Sequence, residues 1–293
     1  MGHNLIQPCH LAVMVYNYSK QGGEGTLFME RILLATFQRD ITRHYELAQA
    51  HSVGLELQVY GYDLDLLDSG WRELLDQHKA LLRGFEGELA IHGAFIDMAP
   101  GSQDRRVVAV TRERFMLNLD IAAELRARTV VFHANFLPQV YRPVVGGSVY
   151  RPGWTKRQVE FWGPMAEEAA QREIVIALEN MWEPEPDIIG DVLDQVDSPH
   201  LCACLDVGHF YLFSDYLPLK RWVKQISHRL AYCHLNNHRG SYDEHLALDV
   251  PGGVIDYNGH VLPLLRALPN PPTLTLEIDE IEYLESSLRY LGR

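Results

Sequence analysis

The sequence lacks several features that would assign it to a common class. No apolar run approaches the ~20 residues that a membrane-spanning helix needs. The first residues do not show the basic-then-apolar pattern of a signal peptide. The four cysteines have no CxxC spacing and mostly stand in apolar runs, where reduced cysteine is a small core residue. These absences predict a cytoplasmic protein with no membrane partner.

Positive charge is also scarce. Lys and Arg total 26 against 39 Asp and Glu, which gives a net charge of -13 with histidine neutral. A protein that binds duplex nucleic acid needs a cationic surface to displace counterions from the phosphates. The balance therefore disfavours nucleic acid as the main partner, although a bound metal reverses the field close to a site.

What the sequence has is a repeated alternation of short apolar runs and longer amphipathic stretches, which is typical of βα units. Hydrophobic residues make up 47% of the chain, enough for a large core. The apolar runs predict eight strands: Leu11–Asn17, Leu55–Tyr60, Leu89–Phe95, Thr129–Phe136, Val175–Met181, Cys202–His209, Leu230–Asn236 and Thr273–Ile278.

Helical spacing fills the intervals between these strands. Examples are the apolar positions from Phe115 to Leu125 and those from Val261 to Leu268, the latter ending at Pro269. No glycine-rich phosphate-binding motif follows the first strand, which argues against a dinucleotide-binding sheet. The pattern predicts an α/β protein that forms one (β/α)8 TIM barrel, a single domain over residues 1–293.

The segment Leu137–Trp154 is rich in proline and glycine and predicts a long loop without helix or strand. It follows the fourth strand and so belongs to the face of the barrel where such enzymes carry their active sites. We expect it to act as a lid.

Side chains that bind metals recur at the ends of the predicted strands. In a barrel, all carboxyl ends of the strands meet at the same mouth, so residues distant in sequence converge there. These residues are His92, His133, Glu179, Asp206, His209, His234 and Glu277.

Each of these residues alone has an ordinary explanation. A single histidine is more often a hydrogen-bonded rim residue, and a buried carboxylate often pairs with Lys or Arg. However, no Lys or Arg occupies any of these strand ends. Histidine beside carboxylate suits Zn²⁺ or the more oxygen-rich shell of Mn²⁺, so the set predicts a divalent metal site.

The segment after the seventh strand adds Asp243 and His245. In an extended segment, residues two apart point to the same side, so these two are candidates to share a metal or substrate. A solvated polar loop explains them equally well. Arg239 is a candidate to hold a substrate phosphate or carboxylate, or is a surface arginine without a special role.

At this point the chain resembles the xylose isomerase-like TIM barrels, which include sugar phosphate isomerases and epimerases as well as endonuclease IV. The stretch Leu246–Gly253 departs from the usual glycine-rich pattern after Asp-x-His. The resemblance rests on an ordered set of motifs: His92–Asp97, Pro100–Asp104, Val130–His133, Leu178–Asn180, Leu205–His209, His234–Asn236, Asp243–Leu246, Gly252–Tyr257 and Leu276–Glu277.

The resemblance implies residue roles. In the single-metal sugar isomerases the ligand core corresponds to Glu179, Asp206, His234 and Glu277, and the two glutamates also form the acid/base pair. In endonuclease IV a larger set holds three zinc ions, and it corresponds to these four residues together with His92, His133, His209, Asp243 and His245. The cofactor implied is Mn²⁺ or Zn²⁺, one ion or up to three.

The leading hypothesis is isomerisation or epimerisation of a sugar or sugar phosphate through an enediolate, with His209 orienting a substrate hydroxyl. The alternatives are an endonuclease IV-like zinc phosphodiesterase acting on abasic DNA, a related sugar-acid dehydratase, and a barrel that binds sugar or metal without turnover. A homo-oligomer is left open.

Overall fold

The computed structural model describes residues 30–137, 147–214, 217–278 and 280–293. Its strands close into a barrel in the order in which they occur along the chain, and each neighbouring pair is parallel. The predicted (β/α)8 barrel is therefore confirmed. The strands are β1 (Ile32–Thr36), β2 (Gly54–Leu57), β3 (Leu89–His92), β4 (Thr129–His133), β5 (Val175–Glu179), β6 (Leu201–Asp206), β7 (Leu230–Leu235) and β8 (Thr273–Leu276).

Helices alternate with the strands and cover the outside of the barrel. A π-helical turn, Tyr257–Val261, precedes one of them. Among the described residues no helix is long and apolar enough to cross a bilayer; the cytoplasmic location stays a prediction. The α-helices are α1 (Thr42–His51), α2 (Val59–Tyr62), α3 (Leu64–Asp68), α4 (Trp71–Leu81), α5 (Arg105–Leu125), α6 (Gly147–Gln171), α7 (Asp187–Val196), α8 (Val207–Phe213), α9 (Leu219–Ile226), α10 (Leu262–Arg266) and α11 (Ile281–Tyr290).

The first strand of the barrel is not the predicted one. The barrel closes with Ile32–Thr36 as β1, which pairs with β2 on one side and β8 on the other. The run Leu11–Asn17 lies outside the described residues and is not needed to close the barrel. Both segments are short apolar runs, and periodicity alone does not choose between them.

Several predicted strands extended too far at their carboxyl ends. The clearest case is Cys202–His209, which ends as a strand at Asp206 and continues as α8. The Asp206 side chain accepts the backbone N–H of His209 and so caps the new helix. Gln58 shows the same change at β2, because its N–H still bonds to Thr36 before α2 begins at Val59.

The predicted loop Leu137–Trp154 was wrong in its second half, since α6 begins at Gly147 and contains Pro152 and Pro164. Packing outweighs the poor helix propensity of this segment. Trp154 is buried, and its ring lies edge-on to Phe136 with centroids 5.0 Å apart. Residues 138–146 lie outside the described part of the chain, and the lid expected there stays untested.

The barrel interior is filled by residues that alternate along the strands. Small or apolar side chains such as Ala90, Val131, Ala177, Cys204 and Tyr232 form one buried cluster. Because side chains alternate with a period of two, the residue two positions further along each strand faces inward at the next level. Those residues are, in the same order, His92, His133, Glu179, Asp206 and His234.

Candidate metal centre

The four ligands implied by the resemblance converge on one point at the carboxyl end of the barrel. Glu179, Asp206, His234 and Glu277 each offer one ligand atom, and these atoms all lie within 4.8 Å of one another. Nδ1 of His234 lies 3.3 Å from Oε1 of Glu179, 3.2 Å from Oε2 of Glu277 and 3.9 Å from Oδ2 of Asp206. All four residues are buried, none more than 4% exposed.

Three of the converging atoms have no hydrogen-bond partner: Oε1 of Glu179, Nδ1 of His234 and Oε2 of Glu277. Buried polar atoms are almost always paired, because leaving one unpaired costs about 1–3 kcal/mol. One nitrogen and several carboxylate oxygens around a common point form a donor set that suits Zn²⁺ or Mn²⁺. The residues therefore fit a divalent cation.

The charges of the cluster are balanced by histidines. Among the described residues, every ion pair made by Glu179, Asp206 or Glu277 is with a histidine, and none is with Lys or Arg.

The contacts between carboxylates and histidines shift the pKa values of the cluster in different directions. Burial raises the pKa of Glu179, but His234 and His133 outweigh it and hold that pKa well below its usual range. Burial lowers the pKa of His234, but Glu277 and the other acidic neighbours raise it well above its usual range. For Asp206, burial raises the pKa well above the usual value, and His209 only partly offsets this. Without a cation, the three carboxylates of Glu179, Asp206 and Glu277 surround the single histidine His234, so their negative charges are not fully balanced at this point.

His92 and His133 form a second group with Glu179. Their Nε2 atoms lie 3.3 Å and 3.2 Å from Oε2 of Glu179, the oxygen that faces away from His234. The three ligand atoms lie within 4.8 Å of one another, and all three side chains are buried. Glu179 therefore stands between two clusters, one on each carboxylate oxygen.

His209, Asp243 and His245 form a third cluster near the rim. Oδ2 of Asp243 lies 3.0 Å from Nε2 of His209 and 2.8 Å from Nε2 of His245. The segment is not extended as expected, because His245 has a positive φ of 51°, yet the two side chains do meet. Nδ1 of His209 contacts the carbonyl oxygen of Asn180 at 2.9 Å, so both ring nitrogens already have protein partners. A substrate hydroxyl would have to replace one of them.

Arg239 lies outside these clusters. Its half-exposed guanidinium pairs with Oε1 of Glu244 at 2.8 Å, and the Arg239 backbone N–H donates to the other oxygen of that carboxylate. The structure places Arg239 in this local ion pair, and a substrate-binding role for it stays a prediction.

The sequence analysis missed Glu56 and Gln58. Glu56 lies within β2, and Gln58 is the first residue after this strand. Glu56 is fully buried, and its Oε2 lies 3.2 Å from Nε2 of His234. Gln58 donates to Oε1 of Glu277 at 2.7 Å. A signal was present, since Glu56 is a charged residue inside the apolar run from Leu55 to Leu57, where burial without a partner is costly.

The family model for the xylose isomerase-like TIM barrel matches residues 47–293. The chain belongs to this family. The match includes seven of the eight strands and all the cluster residues described above. The single-domain boundary over residues 1–293 stays a prediction.

The chain is similar to proteins from other organisms. An uncharacterized protein of Methanocaldococcus jannaschii, MJ1311, is 25% identical over 170 residues, which are 56% of each chain, so the match spans about half the length of that relative. The Thermus thermophilus protein TTHB071, solved after soaking with ZnCl2, is 27% identical with a TM-score of 0.70, and the match covers 90% of this chain and 97% of that one.

A D-tagatose 3-epimerase-like protein superposes with a TM-score of 0.73 at 20% identity, covering 90% of this chain and 96% of that one. At this identity the likeness shows the fold alone.

Proposed function

We propose that the protein is a metal-dependent isomerase or epimerase that acts on a sugar or sugar phosphate. The observation that carries this proposal is the convergence of three unpartnered buried atoms from Glu179, His234 and Glu277. The names of structural relatives, among them a D-tagatose 3-epimerase-like protein and a zinc-soaked crystal of TTHB071, support a sugar substrate and a divalent ion.

Glu179, Asp206, His234 and Glu277 would hold the ion. When bound, a divalent ion supplies Lewis-acid polarisation to the carbonyl and hydroxyl oxygens of a sugar. The chain's own contribution is to exclude water and to fix the groups that move protons. Each glutamate has one oxygen engaged by protein side chains and turns the other toward the centre.

Glu179 and Glu277 are the proposed acid/base pair. They stand on β5 and just beyond β8, and β6 and β7 with Asp206 and His234 lie between them. A carboxylate takes the proton from the carbon beside the carbonyl, and a carboxylic acid returns a proton to form the product. Two carboxylates that reach one centre from different strands allow removal on one face and return on the other, as epimerisation requires.

The direct test of this proposal is hydrogen exchange with deuterated water. The wild-type protein loaded with Mn²⁺ or Zn²⁺ should exchange the carbon-bound hydrogen of a ketose or ketose phosphate, followed by NMR over a panel of sugars. Exchange that depends on the ion supports the proposal. Lack of exchange with every sugar in a broad panel contradicts it.

The second candidate is a metallohydrolase that cleaves phosphodiesters, favoured by the additional buried group His92, His133 and Glu179. This group and the rim cluster around Asp243 offer more ligands than a single ion needs. The net charge of -13 weighs against a DNA substrate. Elemental analysis separates the candidates: one ion per chain with sugar exchange supports isomerisation, whereas three zinc ions with cleavage of abasic-site DNA support hydrolysis.

A further inference from the structure

A buried hydrogen-bond chain connects β2 to two of the proposed ligands. Glu56 accepts from Nε2 of Gln58 at 2.9 Å through Oε1, and from the Tyr232 hydroxyl at 2.7 Å through Oε2. Oε2 also lies 3.2 Å from Nε2 of His234. The same Gln58 nitrogen donates to Oε1 of Glu277 at 2.7 Å. Both oxygens of Glu56 and both N–H bonds of Gln58 are thus engaged.

These hydrogen bonds determine which atom His234 and Glu277 each present to the centre. A carboxylate that accepts several hydrogen bonds has no proton to donate, so the contact with Glu56 requires the N–H of a neutral His234 to be on Nε2. The lone pair is then on Nδ1, the atom that has no partner and faces Glu179 and Glu277. On Glu277, Gln58 engages Oε1 and leaves Oε2 unpartnered.

We propose that Glu56 and Gln58 are positioning residues of the metal centre. Glu56 fixes the tautomer and the orientation of His234, and Gln58 carries this constraint to Glu277 so that both ligand atoms face the same ion. The proposal rests on the metal centre of the proposed function. It is the arrangement in which a ligating histidine donates its second ring N–H to a carboxylate, which orients the ring and raises its basicity.

The substitution Glu56→Gln tests these hydrogen bonds, because the two side chains have almost the same volume. If the new amide directs its NH2 group to His234, two donors meet, and the imidazole must move its proton to Nδ1, where it blocks the ion. If the amide directs its NH2 group to Gln58, two donors meet there instead. Gln58 must then rotate and present its carbonyl oxygen to the carboxylate of Glu277. Each orientation removes one of the two ligand atoms from the centre.

The measurement is the affinity of the purified protein for Mn²⁺ or Zn²⁺, determined by competition with a chelator and, for Mn²⁺, by the EPR spectrum. Glu56→Gln should weaken binding by about 10–100-fold, the usual effect of a lost partner behind a ligand. The matched control is Tyr232→Phe, which removes a hydrogen bond to the same oxygen of Glu56 but leaves both contacts to the ligands. Its affinity should stay close to that of the wild type.

Urea unfolding of the metal-free proteins separates positioning from general stability. A purely structural Glu56 predicts a loss of metal-free stability with unchanged affinity and an unchanged EPR spectrum, which would overturn the proposal. If Glu56→Gln does not fold, Gln58→Leu tests the chain from its other end, and unchanged Mn²⁺ affinity in that variant overturns the proposal as well. If the wild type binds neither ion, the metal centre of the proposed function fails and the positioning role fails with it. If the wild type binds the ion and exchanges sugar hydrogen while Glu56→Gln binds equally well, only the positioning role fails.

Discussion

Nδ1 of His234 and Oε1 of Glu179 lie 3.3 Å apart, both are buried, and neither has a hydrogen-bond partner. When His234 is neutral and its N–H points to Glu56, the Nδ1 lone pair points at the lone pairs of the Glu179 carboxylate. Such an arrangement is unfavourable in a medium of low dielectric constant unless a proton or a cation stands between the two atoms. A cation at this position would relieve the unfavourable contact, so we expect the proposed metal binding to increase the stability of the fold.

The first prediction concerns removal of the metal. An ion held by the folded centre and not by the unfolded chain should stabilise the fold by about 2.7 kcal/mol at a free concentration one hundred times its Kd. Calorimetry with and without a chelator measures the change in Tm. The double variant His234→Ala with Glu277→Ala is the control, and its Tm should not respond to the chelator. An equal response of this variant would place the ion elsewhere.

The second prediction concerns Glu277→Gln. The amide keeps the shape of the side chain and an oxygen that accepts from Gln58, but it neither removes nor returns a proton. Exchange of the substrate's carbon-bound hydrogen with deuterated water should fall by about 10²–10⁴-fold. The control is Glu282→Gln on α11, where the side chain is 69% exposed and pairs with Arg43 at the surface; its rate should be unchanged. Full activity of Glu277→Gln would remove this residue from the acid/base pair.

The third prediction concerns His44, a buried histidine on α1 whose Nδ1 has no hydrogen-bond partner. Burial and, to a smaller extent, the positive charge of Arg43 lower the pKa of His44 to about 4, and Asp40 only partly offsets them. Between that value and the usual 6.5, the unfolded chain binds the proton and the folded chain does not, so this contribution to stability is present above pH 6.5 and declines as the pH falls toward 4.

The variant His44→Leu should lose less stability on acidification than the wild type, by about 2 kcal/mol between pH 7 and pH 5. Urea unfolding of the metal-free proteins at the two pH values measures the difference, and the comparison cancels groups common to both. His51→Leu, at the partly exposed end of the same helix, is the control and should behave as the wild type does. An identical pH dependence of all three proteins would contradict the assignment to His44.

The sequence was sufficient to predict the barrel and the convergence of its ligands, because both depend on repeating patterns. A strand that ends in a metal-binding residue places it at the mouth whatever the loops do. The four residues Glu179, Asp206, His234 and Glu277 meet for this reason. Their roles as ligands and catalysts remain proposals that the experiments above address.

Other features depend on contacts between distant segments and were not predictable from local pattern. The choice of Ile32–Thr36 as β1 depends on its pairing with β8, more than 230 residues away. The helix that contains Pro152 depends on packing of Trp154 against Phe136. Glu56 was overlooked because its partners, Tyr232 and His234, are 176 and 178 residues further along the chain.

The final prediction concerns Gly208, the second residue of α8. A Cβ atom there would lie 2.2 Å from Oδ1 of Asn236, a buried side chain whose amide donates to Oδ2 of Asp206 at 3.2 Å. Gly208→Ala must displace this amide, so it should cost about 1–3 kcal/mol of unfolding free energy, as overpacking typically does. Loss of the Asn236 contact should also weaken Mn²⁺ binding.

The matched control for this last prediction is Gly190→Ala within α7, where an added Cβ meets no atom within 4 Å. Because alanine loses less backbone entropy than glycine when a helix forms, this variant should gain about 0.5–1 kcal/mol and bind Mn²⁺ as the wild type does. Urea unfolding of the metal-free proteins and Mn²⁺ titration measure both effects. Opposite shifts in stability, with weaker binding only in Gly208→Ala, are the expected result. If Gly208→Ala has the same unfolding free energy and the same Mn²⁺ affinity as the wild type, the contact between Asn236 and Asp206 does not position Asp206.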